Sequence, residues 1–383
     1  MSESMSMQPK TITIQSESGV VQSDFLQSGV SQSDATLSSV FGPPCTKYEA
    51  LANLKNDPET YQKFLTFPPK EQENVLSFLA GQHGLKITYD SFFQKIMSPL
   101  LHPERLESLL SELLNEPVHI ERILPCEGIR LSYEASLIIM DILVQLSDGS
   151  RVNMEIQKIG LRFPGERSSC YAADAIMRQY TELKSILKND FDYRKMRPVY
   201  LIILMEQSSK PFRDVAPHYI HTEEIRYDSG AKVTSLQRIK YISLDTFRNT
   251  VHNIDNKLNA WLTFFSSDEP ADIMKLIQAY PEFRELYEEI AEFRKNPKEL
   301  IYMYSEALTI ADNNTVKLMI DDMRDEIAAQ ADTIASKDAE LSKKDATISE
   351  KDAAISEKDA ELSEKDAEIA KLKAELEKFN CGK

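Results

Sequence analysis

Between residues 136 and 205 the hydrophobic pattern changes period twice, and this constrains the fold more than anything else in the chain. Ser136–Leu146 is largely apolar, interrupted by Asp141 and Gln145, and Arg151–Gln157 alternates apolar and polar residues. Glu166–Lys188 follows with apolar residues at three- and four-residue steps, and Pro198–Met205 is an almost unbroken apolar run. Alternation at period two reads as a half-buried strand, the longer period as a helix, and a short apolar block as a strand covered on both faces. Two strands, a helix and a buried strand on one core predict a mixed α/β layer structure. Upstream, Phe92, Phe93, Ile96 and Met97, then Leu106, Leu109, Leu110, Leu113 and Leu114, predict two helices, the second stopped by Pro117. Val118–Leu124 adds a strand, Tyr219–Leu244 a further strand or two, and residues 271–320 are expected to be helical again.

The two strand-like runs fit together as a hairpin when their apolar faces coincide. Ile138, Met140, Ile142, Val144 and Leu146 share one face of the first strand, and Val152, Met154 and Ile156 share one face of the second. Directly opposed residues in an antiparallel pair lie on the same face, so paired numbers must sum to an even value. A two-residue Asp148-Gly149 turn violates that parity. A three-residue loop, Ser147-Asp148-Gly149, satisfies it, and Gly149 suits the left-handed conformation wanted at the loop's third position. In this register Asp141 faces Glu155 with Cβ atoms about 4.5–5.5 Å apart, and Gln157 lies one step along on the same face.

Two carboxylates that close repel unless something positive intervenes. A divalent cation is the simplest answer, and hard oxygen ligands favour Mg²⁺ or Mn²⁺ held by one or two carboxylates plus a substrate phosphate. The alternative is that each acid finds an arginine, or that Asp141 points to solvent at a sheet edge. Charge distribution bears on the choice. The chain carries a net −16, which argues against a simple nucleic-acid binder, yet residues 151–213 hold 12 Lys/Arg against 7 Asp/Glu. That local net of +5 can follow a phosphate backbone while acidic segments elsewhere keep the chain dispersed. Other chemistries lack support: there is no GxxxxGK loop, Ser168-Ser169-Cys170 has no nearby base, the six histidines form no ligand-spaced cluster, and the four cysteines form no CxxC pair. No apolar stretch reaches the length of a membrane span and no secretory signal is visible, so a cytoplasmic protein is expected.

The order of these pieces, Asp141 in a strand, Glu155-Ile156-Gln157 on the next, a helix and then an apolar strand, resembles the PD-(D/E)XK nuclease core. More narrowly it is similar to the recombination-promoting nuclease / putative transposase family. The carrying segments are Asp90-Ser91-Phe92-Phe93-Gln94-Lys95-Ile96-Met97, Met140-Asp141-Ile142, the Glu-x-Gln at 155–157, the helix Arg167–Tyr180 and the closing aromatic segment Ala260-Trp261-Leu262-Thr263-Phe264-Phe265. The resemblance covers residues 84–267. It implies a restriction-endonuclease-like mixed sheet flanked by helices and metal-dependent hydrolysis of DNA phosphodiesters, linked to recombination or mobile DNA. Asp141, Glu155 and the backbone carbonyl of Ile156 would hold Mg²⁺ or Mn²⁺. Gln157 stands where the wider superfamily has a lysine; it can hydrogen-bond but brings no charge. Lys158 should point to the opposite sheet face, which leaves Arg167 as the better placed cation, with Tyr171 one turn on. Glu107 and Glu112 are candidates for a further acid from the first helix. The rival reading is a catalytically degenerate nuclease fold that binds DNA or a protein and oligomerises through its tail.

The flanks are of another kind. Residues 1–45 are Ser/Gln-rich, with a degenerate repeat at Gln22-Ser23-Asp24 and Gln32-Ser33-Asp34, and are expected to be disordered. Residues 46–83 are read as a short helical preface and 268–324 as a helical section. From 325 to 383, Ile327, Ile334, Leu341, Ile348, Ile355, Leu362, Ile369 and Leu376 recur at every seventh position. The other core position of each central heptad is then Asp or Lys. A weak coiled coil, joining copies of the chain, and a solvated single helix held by ion pairs both remain open.

Overall fold

The computed structural model describes residues 40–42, 45–127, 140–159 and 164–380. Residues 1–39 of the Ser/Gln-rich segment and the expected strand residues 136–139 lie outside them; Val40 and Phe41, within the stretch expected to be disordered, are instead buried in the larger core. Three short helices come first: α1 (Lys47–Lys55), α2 (Pro58–Leu65) and α3 (Pro69–Leu79). Their prolines start helices instead of interrupting them, because the missing N–H is one that the first turn leaves unpaired anyway. Thr46 and Glu49 form a reciprocal cap on α1, and Asp57 caps α2.

α4 (Asp90–Ile96) and α5 (Pro103–Leu114) follow. Asn115 ends α5 in the left-handed conformation (φ 56°), so the helix stops before Pro117 and not because of it. The sheet comprises β1 (Ile120–Ile123), β2 (Ile142–Leu146), β3 (Arg151–Ile159), β4 (Val199–Gln207), β5 (Ile220–Thr222) and β6 (Gln237–Ser243) in the order β1-β2-β3-β4-β6-β5. β1, β2 and β3 run antiparallel, β3, β4 and β6 parallel, and β5 pairs antiparallel with β6. The long helix α6 (Pro164–Leu187) carries the chain from β3 to its parallel neighbour β4. α7 (Lys210–Arg213), α8 (Leu244–Thr250), α9 (Lys257–Ser266), α10 (Pro270–Ala279), α11 (Phe283–Lys295) and α12 (Pro297–Asn380) complete the chain.

The two faces of the sheet have different covers. Val152, Met154 and Ile156 of β3 and Ile202 and Leu204 of β4 enter a large core shared with Leu54, Phe78, Phe93, Leu109, Trp261, Ile277, Phe293 and Tyr304. Segments 46–83, 84–267 and 268–324 therefore contribute to one apolar interior. On the other face, Leu143, Leu201, Ile203 and Met205 pack with Tyr171 and Ala175 of α6 in a smaller core. Because β4 is buried on both sides it reads as a continuous apolar run. The aromatic segment at α9 lies in the larger core, where Trp261 packs against Phe264 and Phe283 and its indole N–H donates to Ser108 Oγ at 3.1 Å.

α12 continues through the heptads as one helix. Its heptad Ile and Leu residues are solvent-exposed, from 48% at Ile369 to 66% at Ile327, while Leu300 and Ile301 near its start are buried in the larger core. Among the described residues no helix is long and apolar enough to cross a membrane.

Candidate active site

The site grows from the β2–β3 turn. Leu146 N–H donates to Ser150 O (2.8 Å), Gly149 N–H donates to Leu146 O (2.9 Å), and Gly149 sits at φ 86°. The loop is therefore Ser147-Asp148-Gly149, with Asp148 accepting from Ser150 N–H at 2.9 Å. The observed pairs, Ile142 with Met154 and Val144 with Val152, all sum to the even register that parity demanded. One step beyond the last pair, Asp141 meets Glu155. Asp141 Oδ2 accepts from Ile156 N–H at 2.8 Å, and Glu155 Oε1 accepts from Asp141 N–H at 3.3 Å and from Asn153 Nδ2 at 2.9 Å. Each acid is fixed against the other's strand.

Asp141 is half-buried as a residue with its carboxyl turned inward, while Glu155 is buried. Enclosure pushes the Asp141 carboxyl up to about 7, and the negative charge of Asp90 adds to the rise. Hydrogen bonds from Ile156 N–H and the Gln94 side chain, and the charge of Arg167, oppose it. Glu155 is also raised, first by burial and then by Asp141, against the pull of Asn153 and Arg167. Asp90 is raised by its own burial. Asp141 thus stands within electrostatic reach of both Asp90 and Glu155.

The cations divide as the strand geometry requires. Lys158 lies on the far face, its Nζ 3.2 Å from Glu206 Oε2 and 3.6 Å from the Tyr89 ring centroid. Arg167, early in α6, donates to Tyr171 Oη at 2.7 Å, and among the described residues no salt bridge joins it to either acid. Gln157 lines a small pocket with Glu155, Arg167, Ser168 and Tyr171. Glu107 is elsewhere: its Oε1 accepts Ile120 N–H at 2.7 Å and anchors the start of β1, so it does not supply the further acid. Glu112 stays half-exposed on α5. The first-helix residues that do reach the pair are Asp90 and Gln94 of α4. Their four-residue spacing places them on one helix face, the one signal in the sequence that could have singled them out. Asn153 was also missed, although alternation puts it on the Glu155 face.

The residues fit an oxygen-liganded cation. Among the described residues no group of three or more His, Cys, Asp or Glu converges into a complete cage. Two carboxylates, with water and phosphate filling the remaining positions, is the arrangement magnesium commonly takes. Asn153 Oδ1, beside Glu155, is buried and has no hydrogen-bond partner. A hydrated divalent ion would satisfy such an unpaired buried oxygen beside two carboxylates.

A mixed six-stranded sheet, helices on both faces and a crossover helix leaving the acid-bearing hairpin define a restriction-endonuclease-like α/β fold. The family model for PD-(D/E)XK nuclease family transposases matches residues 88–318, more than half of the chain, and the chain belongs to that family. The match runs past the aromatic segment of α9 into the first part of α12. No curated protein and no solved structure gives a significant match.

Proposed function

We propose that this protein is a divalent-metal-dependent DNA endonuclease acting in recombination or on mobile DNA. The observation that carries the reading is the meeting of Asp141 and Glu155 across the hairpin, enclosed and held apart from the lysine of the opposite face. Asp141, Glu155 and the carbonyl of Ile156 would hold Mg²⁺ or Mn²⁺, and such an ion would polarise the scissile phosphate and lower the pKa of the attacking water. Gln94 and Asn153 orient the two acids. Arg167, braced by Tyr171, offsets negative charge on the phosphate, and Gln157 hydrogen-bonds the water. Asp90 raises the negative potential that draws the cation in.

The test is cleavage of supercoiled plasmid with Mg²⁺ or Mn²⁺. Asp141→Ala and Glu155→Ala should each abolish it, and Lys158→Ala should not. Undiminished cleavage by the Asp141 variant removes the proposal. The neutral Gln157 favours one rival, a DNA-binding module without catalysis. Calorimetry showing no Mg²⁺ or Mn²⁺ uptake, together with salt-sensitive DNA binding, would select it. The exposed heptad residues of α12 are assigned to a second copy of the chain, since an apolar row this long is otherwise left to water.

A further inference from the structure

The far end of α6 carries an aromatic cluster that the catalytic reading does not use. Tyr180, near the helix C-terminus, packs edge-on against Phe191 (centroids 5.3 Å, 90°) and parallel to Tyr193 (6.1 Å, 14°). Phe191 and Tyr193 meet edge to face at 5.2 Å. Two short 3-10 turns, Lys188–Asp190 and Tyr193–Lys195, present the rings, and Asp192 caps the second turn. Arg197 N–H donates to the Gln179 side chain at 2.9 Å, which ties the end of this segment back to α6. The arrangement is built, yet its outermost ring is 73% exposed. A ring stacked on Tyr180 with that much exposure offers its outer face to solvent.

The surroundings are cationic. Lys184 Nζ stands 5.4 Å from the Tyr180 centroid and 5.6 Å from that of Phe191. Lys188, Arg194, Lys195 and Arg197 are all exposed. Residues 184–197 hold five Lys/Arg against two Asp. Of the acids nearby, Asp192 is paired with Arg194, and Glu182 is shared between Arg122 and Arg151, so the net field is positive. Exposed, parallel aromatic faces set among lysines and arginines are what single-stranded nucleic acid requires, because every base has a π-face to stack and the backbone needs counter-charge. A duplex supplies the phosphates but keeps its base faces covered.

We propose that Tyr193, backed by Tyr180 and Phe191 and flanked by Lys184, Lys188, Arg194 and Arg197, is a stacking platform for single-stranded DNA. The platform deepens the nuclease reading and rests on it for the choice of DNA. Tyr180 lies 13 residues along α6 from Arg167, on the order of 20 Å at the helical rise.

The chain has one tryptophan, Trp261, which is buried, so Tyr193→Trp installs an exposed reporter. Fluorescence is titrated in chelator, without cleavage, against a twelve-nucleotide oligothymidine and a blunt duplex. The expected result is quenching by the single strand, no quenching by the duplex, and a five- to hundredfold loss of single-strand affinity in Tyr193→Ala. Lys188→Ala/Arg197→Ala should flatten the salt dependence of that binding. Equal quenching by duplex, absence of quenching, or unchanged affinity in Tyr193→Ala overturns the platform. Because the assay needs no metal, its failure leaves plasmid cleavage standing, and loss of cleavage leaves the platform standing.

Discussion

Replacing Asp141 by asparagine should make the metal-free protein more stable, and increasingly so as pH rises. In the fold this carboxyl titrates near 7, against 3.8 when unperturbed. A group raised by folding contributes its full share of stability below its unfolded pKa and loses it as pH rises through the folded one. At pH 8 the ionised, enclosed carboxylate costs about 4 kcal/mol, at about 1.36 kcal/mol per pH unit of separation. At pH 5 the folded carboxyl holds its proton, and the cost falls to roughly 1–2 kcal/mol. Asparagine keeps an acceptor for Ile156 N–H and carries no charge, so Asp141→Asn recovers these amounts. At roughly 2–4 °C per kcal/mol for a domain of this size, the variant should melt about 8–16 °C above the native protein at pH 8 in chelator, and about 3–6 °C above it at pH 5. Saturating Mg²⁺ should narrow or reverse the gap, because only the native site gains binding energy. Differential scanning calorimetry at the two pH values measures it. A variant that melts at or below the native protein at pH 8 without metal would refute the reasoning.

Asn153→Ala frees the Glu155 carboxylate from its 2.9 Å support and should weaken Mn²⁺ affinity about ten- to a hundredfold, read by titration calorimetry, with little change in fold. Lys158→Met should leave cleavage per folded molecule unchanged but destabilise the protein by about 2 kcal/mol in urea, since Glu206 is buried on that face. Gly149→Ala places a side chain at φ 86° and 3.3 Å from Arg197 Cγ, and should cost on the order of 1–2 kcal/mol in the same assay. Sedimentation of the full chain should report a dimer or larger, and deletion of residues 325–383 a monomer.

The β2–β3 hairpin was legible because two local rules agree: side-chain parity admits only even sums, and Gly149 supplies the left-handed residue of the loop that gives one. The apolar run at β4 likewise announced a strand buried on both faces. Asp90 and Gln94 were not legible as site residues because their approach to Asp141 spans some fifty positions and depends on how α4 packs on the sheet. Glu107 shows the converse: an acid on an amphipathic helix next to the site in sequence order serves the backbone of β1 instead. The insertion of β6 between β4 and β5 is a tertiary choice with no local mark. At α5 the nearer signal, Asn115 in the left-handed region, acted before the proline two residues on.

Manganese uptake by the intact chain measures the pairing of Asp141 with Glu155 most directly. Calorimetry at pH 8 should find one saturable site, lost in Asp141→Asn and in Glu155→Gln and kept in Lys158→Met. Uptake that survives both acid substitutions, or no uptake by the native protein, contradicts a cation gripped between these two strands.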